Sequence, residues 1–324
     1  MRFREAIEPD IPAIAAAFDG RNALPLEPHV RAALPVVLSR MIASPACVLT
    51  VFEDSDRSGL RVLSFAGGLF LREAIIDDYL AAPGPGLLSG VLAALLDGQQ
   101  PLLTLEEIRQ RNSNHGLTMA VFPIPLGRHS WDDPLIEELR RLAPPAFVRA
   151  FGGYRIRAIY YEVFMDEVAR YVQAGGYRLL HDFSDRAGTG LLGPDCRPRM
   201  LRLTDSDLPP GAMSMASQIF NPPDARLGLT QAEQRLALRA LDGASDRTIA
   251  ASLGLSTETV RSNWRSMYRR LANVLPAFEA QVQHAEDASR GLEKRRVAIE
   301  YLRQNMHELR PTVRSPRLNR PRVT

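Results

Sequence analysis

The sequence predicts an N-terminal domain of the α+β or α/β class, followed by an all-α helix-turn-helix domain with a C-terminal helical extension. Strand-like and helix-like segments alternate over residues 1–183, and a stretch rich in Gly, Pro, Asp and Ser follows at 184–228. Residues 229–275 then carry a compact helical pattern. A chain of 324 residues is long for one domain and comfortable for two.

The elements of residues 1–183 are predicted from the spacing of apolar side chains. A helix over 165–174 is followed by Gly175 and Gly176, which is a helix-end signal. The predicted strands are 2–7, 47–52, 61–71, 117–123, 156–164 and 177–183, and the predicted helices are 10–18, 29–42, 87–96, 105–110, 134–142 and 165–174.

The remaining segments differ in composition. Residues 184–228 contain repeated Gly and Pro and are predicted to be a linker. Residues 276–310 form a long charged stretch that is predicted to be helical. Residues 311–324 hold three Pro and four Arg and no acid, so we predict a disordered basic tail.

Charge is distributed unevenly although the net charge is only +3. Residues 1–228 carry 23 basic and 27 acidic side chains, whereas residues 229–324 carry 17 basic and 10 acidic ones. An acidic body joined to a basic C-terminal third suggests a polyanion-binding module on a larger domain.

One lysine, Lys294, stands among the 40 basic residues, and this excludes several classes of protein. P-loop nucleotide hydrolases, protein kinases and Schiff-base enzymes each need a placed lysine. Lys294 follows Glu293 in a charged stretch without a glycine loop. Arginine cannot replace lysine in a Schiff base because it does not lose its proton in proteins.

The cysteine count and the distribution of apolar residues limit the cellular compartment and the metal sites that the sequence can have. Cys47 and Cys196 are too few for a thiol zinc site, and no metal or cofactor is predicted. No apolar run reaches the roughly 18 residues that a membrane span needs. The first residues, MRFREAIEPD, lack the apolar core of a signal peptide. We therefore expect a cytoplasmic protein with no membrane partner.

Residues 229–271 carry consistent local signals for three helices. Thr230 with Glu233 forms a capping box that opens the first helix. Ser245 is placed to cap the second helix, which Gly254 ends after little more than two turns, and Ser256 is placed to cap the third. A short helix, a tight Gly turn and a longer helix form helix-turn-helix geometry.

The third helix has a buried stripe and a polar, basic face. Val260, Trp264, Met267 and Leu271 fall at i, i+4, i+7 and i+11, which is one apolar stripe. In helix-turn-helix proteins the second helix of the pair enters the major groove with its N-terminal end first. We expect the polar face to meet DNA.

This segment resembles the LuxR-type, or GerE-like, helix-turn-helix family without a gap. The resemblance implies a transcription regulator that binds operator DNA, usually as a dimer. The chain departs from the family at Thr248, Asn263, Trp264 and Arg270, which leaves the operator sequence open. The matching residues are Leu229, Thr230, Glu233, Gly243, Ser245, Ile249, Ala250, Leu253, Gly254, Ser256, Thr259, Val260 and Leu271.

The DNA-binding residues are predicted from this geometry. Arginine can bond guanine through two hydrogen bonds, and Thr and Ser can contact base edges or phosphates. For any single arginine, an ordinary solvated surface role is the alternative. We predict that Thr257, Thr259, Arg261, Ser262 and Arg265 read or position DNA and that Arg247 and Arg269 contact phosphates.

The C-terminal extension has two interpretations. Leu292, Ile299 and Met306 are spaced by seven, and Leu302 and Leu309 follow the latter two by three. This spacing predicts a short dimerisation seam in which Arg295 occupies the first d position. The alternative is a helix packed on its own chain. The basic tail also has two interpretations: it contacts phosphate groups, or it is a solvated segment without a partner.

The N-terminal domain resembles the GNAT acetyltransferase fold in the order of its elements, in MRFREAIEPDIPAI at its start and in EVARYVQAGGYRLL near its end. That family binds the acetyl-CoA pyrophosphate with a loop similar to [QR]-x-x-G-x-[GA]. Here IPLGRHSWDDPLIEEL follows the strand at 117–123, with Gly127 alone and Asp132 and Asp133 set to repel phosphate. We therefore predict a sensor domain rather than an enzyme.

Acid–base candidates in this domain are Glu162, Asp166 and His181, for each of which a surface or structural role is favoured. A phospho-receiver domain is disfavoured by the missing lysine. An autoinducer-binding domain is disfavoured because Trp131 is the only tryptophan in this half.

The sequence thus predicts a DNA-binding transcription regulator that acts as a homodimer on double-stranded DNA. Its N-terminal domain would sense a small molecule or a protein. One alternative is an acyl-CoA-dependent acetyltransferase-like protein that carries a helix-turn-helix. Another is an interaction protein that uses its basic tail on an acidic partner and does not bind DNA.

Overall fold

The computed structural model describes residues 1–56, 59–208, 219–275, 278 and 290–313. The chain divides into two compact units, Met1–Asn221 and Pro222–Thr324, here called the N-terminal unit and the C-terminal unit. No helix among the described residues is long and apolar enough to cross a membrane.

A single mixed sheet organises the described part of the N-terminal unit. Its strand order is β1-β2-β3-β4-β5-β7-β6, with β4 and β5 parallel and every other neighbouring pair antiparallel. The strands are β1 Arg2–Glu5, β2 Cys47–Asp56, β3 Gly59–Phe70, β4 Leu117–Val121, β5 Ile156–Val163, β6 Arg178–Asp182 and β7 Arg199–Thr204.

Helices surround this sheet and bury a core in which phenylalanine is prominent. Three of them, α4 to α6, lie between β3 and β4 in the chain. The helices of this unit are α1 Ile11–Ala17, α2 Pro28–Ala32, α3 Leu34–Ala43, α4 Glu73–Ala81, α5 Leu87–Leu96, α6 Leu105–Ser113, α7 Pro134–Phe151 and α8 Asp166–Ala174. Phenylalanines with almost no exposed surface are Phe52, Phe65, Phe70, Phe122 and Phe151.

Helix α7 is longer than the sequence predicts, because it continues past residue 142 through Pro144 and Pro145. A proline inside a helix cannot donate to the carbonyl four residues earlier, so Pro144 leaves the Arg140 carbonyl without its helical partner. The Tyr171 hydroxyl of α8 donates to that carbonyl at 3.1 Å. A hydrogen bond from a neighbouring helix therefore replaces one of the two bonds that the prolines remove.

Strand β7 lies inside the segment that was predicted to be a linker. Residues 199–204 pair with β5 on one side and with β6 on the other, so the sheet extends beyond residue 183. Met200, Leu201 and Leu203 of this strand are buried. The residues on both sides of β7 are rich in Gly and Pro, which is typical of a linker. The sequence pattern therefore does not indicate this strand.

The C-terminal unit is helical over its described residues. It contains α9 Gln231–Leu241, α10 Asp246–Leu253, α11 Thr257–Val274 and α12 Arg290–Gln304, and a short 3-10 turn at Met306–Leu309. The caps follow the sequence expectation: the side chains of Thr230, Ser245 and Ser256 each accept a backbone N–H three residues later. Gly254 ends α10 at φ 63°, a conformation that favours glycine.

The stripe predicted on the third helix is confirmed, since Val260, Trp264, Met267 and Leu271 are all buried. They share one core with residues of α9, α10 and α12. That these helices bind DNA stays a prediction.

Helix α12 packs against its own unit. Ala298, Leu302 and Leu309 are almost fully buried in the same core as α9 and α11. Buried side chains are unavailable to a second copy, so the structure favours the packed helix over the predicted dimerisation seam. The side chain of Leu292, residues 279–289 and the tail from residue 314 onward lie outside the described residues.

Arg295 explains one departure from the helix-turn-helix family. Its guanidinium lies over the Trp264 ring at 5.0 Å and pairs with Asp246. The Trp264 ring N–H donates to the same carboxylate at 3.3 Å. The large indole is therefore part of the contact between α11, α10 and the extension, so its presence is explained by packing.

Glu308 fastens the end of the described chain to the start of the unit. Its side chain is fully buried. It accepts the backbone N–H of Arg226 at 3.0 Å and that of Leu227 at 2.8 Å. The Tyr301 hydroxyl donates to it at 3.2 Å. These bonds join Arg226 and Leu227 to the 3-10 turn.

Candidate functional site

Six of the seven residues predicted to bind DNA lie on α11, and the seventh lies on α10. Arg247 is exposed at the start of α10, and the other six lie on α11, a helix about 27 Å long. On α11, Thr257 is half-buried, and the exposed residues are Thr259, Arg261, Ser262, Arg265 and Arg269. Six of the seven side chains are therefore exposed, and their role in DNA binding stays a prediction.

Glu258 also lies on α11 and pairs with two of the arginines. One of its carboxylate oxygens is 2.5 Å from the Arg265 guanidinium, and the other is 3.8 Å from that of Arg261. All three side chains are well exposed, so these pairs contribute little to stability. The carboxylate nevertheless reduces the positive potential that a phosphate would meet.

Thr259 and Arg270 have structural contacts of their own. The Thr259 hydroxyl lies 2.8 Å from Ser256 Oγ, and its N–H donates to that oxygen at 3.0 Å, so Thr259 belongs to the helix cap. Arg270 donates to the Gly228 carbonyl at 2.5 Å and pairs with the buried Glu233 at 3.5 Å. Arg270 therefore holds the start of the unit to α11.

A second candidate site is a cavity of about 470 Å³ in the N-terminal unit, between α7, α8 and the ends of β4 and β5. This volume lies within the range of small-molecule sites. Its lining is almost entirely apolar and includes Val121 of β4, Leu139 and Phe147 of α7, Val172 of α8 and Leu203 of β7. Sequence reasoning missed this site because its lining extends from residue 22 to residue 219.

Among the described residues, Arg140 is the one charged side chain that lines this cavity. Its guanidinium lies over the Trp131 ring at 4.5 Å, and the Trp131 ring contacts Tyr171 edge-on at 5.7 Å. Arg140 Nε is buried and has no hydrogen-bond partner among the described residues. The cavity therefore offers an apolar interior and one unsatisfied cationic donor.

Side chains satisfy the backbone just beyond the end of β4. Asn22, which adopts φ 55°, donates to the Ile124 carbonyl at 3.1 Å and accepts the Phe164 N–H at 3.1 Å. The hydroxyl of Tyr161 accepts the Ile124 N–H. Both backbone groups of Ile124 are thus satisfied within the chain, and a ligand in the cavity gains no hydrogen bond from them.

Asp133 occupies the N-terminus of α7. Its carboxylate accepts the Leu135 N–H at 2.9 Å, and its carbonyl accepts the N–H of Ile136 and Glu137 at 2.9 and 3.0 Å. Pro134, the first residue of the helix, has no N–H. The His129 ring lies 2.9 Å from Asp133 and lowers the pKa of its carboxyl group. The first turn of α7 therefore has no free amide for an anion.

Glu162 of β5 is the most perturbed carboxyl group in the described structure. Burial raises its pKa to about 7, although the Gly86 N–H at the start of α5 donates to it at 2.5 Å. Its second oxygen and the hydroxyl of Tyr79 are buried without a partner among the described residues. The Glu162 charge also raises the pKa of Tyr79, after burial. Burial explains this perturbation, and the sequence alone does not reveal it.

The three acid–base candidates are only partly brought together. The centre of the His181 ring lies 6.2 Å from that of the Tyr79 ring. Tyr79 was not among the residues that the sequence singled out. Asp166 is exposed and pairs with Arg199 at 2.5 Å. Asp166 therefore has a surface role.

Thiol and metal chemistry gain no support. Burial raises the pKa of the Cys196 thiol to about 11 and raises that of Cys47 further. Neither sulfur is an activated nucleophile. No group of metal-ligating side chains occurs among the residues that the structure describes.

Glu162→Gln should change how the stability of the N-terminal unit depends on pH. The pKa of the Glu162 carboxyl group is about 7 in the folded chain and 4.5 ordinarily, so the folded chain binds this proton more tightly than the unfolded chain does. This contribution to stability is full below pH 4.5 and is lost as pH rises to about 7, at a cost of about 3 kcal/mol. The neutral glutamine is expected to avoid that loss.

The measurement is urea unfolding from pH 5 to pH 8 in a Trp264→Phe background, where Trp131 reports on the N-terminal unit alone. The advantage of the glutamine variant should grow with pH. A difference that stays constant over this range would contradict the prediction.

Comparison with known proteins finds no matching family and no matching curated protein. Solved structures of N-acetyltransferases are similar over about 63% of the chain. A spermidine N-acetyltransferase from Vibrio cholerae is 11% identical, with a TM-score of 0.38 over 65% of this chain and 100% of its own.

Two further structures give similar values. An N-acetyltransferase from Staphylococcus aureus Mu50 is 13% identical, with a TM-score of 0.35 over 63% of this chain and 97% of its own. A probable acetyltransferase of the GNAT family from Chromobacterium violaceum is also 13% identical, with a TM-score of 0.34 over 63% and 87%. Likenesses of this size carry no conclusion about substrates.

These neighbours correct one prediction and match another. The prediction that the chain is not an enzyme is contradicted, because the similar structures are N-acetyltransferases. The weak resemblance of the N-terminal unit to the GNAT fold is matched by them. Coenzyme A does not fit the first turn of α7, however, since Asp133 already holds the amides there.

Proposed function

We propose that the chain is an acetyltransferase-like protein that binds an acyl compound in its N-terminal unit and DNA through its C-terminal unit. The cavity between α7 and α8 carries the first half of this proposal. It is large enough for a small molecule, it is apolar, and it lies beside the carboxyl ends of β4 and β5. An apolar chain gains free energy from burial there without needing polar partners.

The DNA half rests on the exposed face of α11. A short helix, a turn at Gly254 and a longer helix with arginines at 261, 265 and 269 support insertion of α11 into a groove. The cap leaves the N-terminal end of α11 at the surface, where a groove-binding helix presents its first residues.

A direct test is fluorescence anisotropy of the full chain with a labelled random-sequence duplex. We expect the logarithm of the binding constant to fall linearly with the logarithm of the salt concentration. The slope should be about −3 to −4 if about four phosphates are neutralised. An exposed basic face predicts this behaviour because binding releases counterions. Absence of binding at 50 mM salt would contradict the DNA half and leave the acyl half standing.

A further inference from the structure

We propose that the occupant of the cavity is an amphiphilic carboxylate, an alkyl chain that ends in a carboxylate group, and that Arg140 binds its head. This inference rests on the proposed binding of an acyl compound in the cavity and names the chemical class of that compound. It assigns a ligand-binding role to Arg140, a residue that no sequence motif singled out.

The hydrogen-bonding state of Arg140 is the first support. Its Nε lies buried at a cavity wall with no acceptor among the described residues. A buried donor without a partner is costly, and buried polar groups in folded proteins are nearly always paired. A carboxylate is the natural complement, because guanidinium and carboxylate form two parallel hydrogen bonds.

The position of the guanidinium is fixed in advance. Trp131 lies beneath it at 4.5 Å, and Tyr171 holds both the Trp131 ring and the Arg140 backbone. A cation held over an aromatic face keeps its charge and its edge donors. The head-group site is thus prepared before a ligand arrives, which reduces the entropy lost on binding.

The tail site follows from the rest of the lining. From Arg140 the wall of α7 continues through Ala143 and Phe147 to Val148, about 12 Å along the helix. Asn22 and Tyr161 already satisfy the backbone at Ile124, so the interior offers little that is polar. An extended apolar chain with one charged end matches this distribution.

The first turn of α7 disfavours a nucleotide head. Asp133 accepts the first-turn amides of α7 and brings a negative charge to that end. A ligand with a diphosphate would face this carboxylate, whereas a small carboxylate can reach Arg140 one to two turns further along α7.

The experiment is calorimetric titration of the full chain with decanoate and with decanamide, its neutral counterpart of the same length. We expect decanoate to bind at least about tenfold more tightly. Octanoate, decanoate and dodecanoate should differ by about fourfold in affinity for each added methylene.

Variants separate the head from the tail. Arg140→Gln should remove the preference for decanoate, while Arg140→Lys should retain part of it. Arg141→Gln is the matched control, because Arg141 is the next residue on α7 and is largely exposed. Ala143→Phe should block both ligands by filling the cavity. Far-UV circular dichroism checks that each variant is folded.

The outcomes are distinguishable. Equal affinity for decanoate and decanamide, both lost in Ala143→Phe, would overturn the carboxylate proposal and leave acyl binding in the cavity intact. A preference for decanoate that survives Arg140→Gln would also overturn it. No saturable binding of either ligand to the folded chain would overturn both proposals.

Discussion

Arg261→Ala is expected to weaken binding to a preferred DNA sequence by roughly 1–3 kcal/mol. Arg261 lies near the N-terminal end of α11, and about two-thirds of its side chain is exposed. A helix that enters the major groove presents such a side chain to the base edges. Its loss should therefore reduce the affinity for the preferred sequence more than that for random DNA.

The measurement uses a duplex that the wild-type chain selects from a random pool, compared with random DNA at fixed salt. Arg235→Ala is the control, because Arg235 is an exposed arginine on α9. Its effect should be small and equal on both duplexes. An equal loss on both duplexes for Arg261→Ala would show that Arg261 reads no base.

Glu258→Gln gives a test of opposite sign on the same surface. The Glu258 carboxylate pairs with Arg265 at 2.5 Å and with Arg261 at 3.8 Å, and it would repel a phosphate. Its neutralisation should strengthen DNA binding at low salt, with a gain that shrinks as salt rises. An unchanged affinity at low salt would place this face away from DNA.

Glu308→Ala is expected to destabilise the C-terminal unit by about 3 kcal/mol or more. The carboxylate accepts two backbone N–H groups, from Arg226 and Leu227, and the Tyr301 hydroxyl. Hydrogen bonds to a charged acceptor are stronger than neutral ones. Alanine would leave the buried Leu227 N–H without an acceptor. Glu308→Gln keeps an acceptor oxygen and should cost less.

Urea unfolding in a Trp131→Phe background measures this change, since Trp264 then reports on the C-terminal unit alone. Glu300→Ala is the control, because Glu300 is exposed and its carboxylate contacts Arg303 and Gln304, both about one turn away on α12. It should change stability by less than about 0.5 kcal/mol. Equal effects of the two alanine variants would show that the Glu308 contacts do not stabilise the unit.

The helices of the C-terminal unit follow closely from the sequence. Their start and stop signals are local: Thr230 with Glu233, Ser256 and Gly254 each act within four residues of chain. The apolar stripe of α11 is equally local, since its spacing matches the helical repeat. The spacing of the apolar residues in α12 did not decide what the helix packs against. A seven-residue repeat is compatible with a second copy of the chain and with the core of the same unit.

The N-terminal unit was less accessible to the same reasoning. Strand β7 was missed because it lies among Gly- and Pro-rich residues and because it inserts between β5 and β6, which are consecutive in the chain before it. The extension of α7 through Pro144 depends on a hydroxyl from α8. Glu162 was named as an acid–base candidate, yet its raised pKa results from burial on β5.

The sequence by itself determined the local structure, namely the caps, the Gly254 turn and the buried stripe of α11. It also determined the charges of residues 1–228 and 229–324. Only the tertiary structure decided which elements meet. It formed the apolar cavity, placed the Tyr171 hydroxyl against the Arg140 carbonyl and left Arg140 Nε without a partner among the described residues. The physical reason is that capping and helical periodicity act over a few residues, whereas desolvation and hydrogen-bond satisfaction depend on contacts between distant segments.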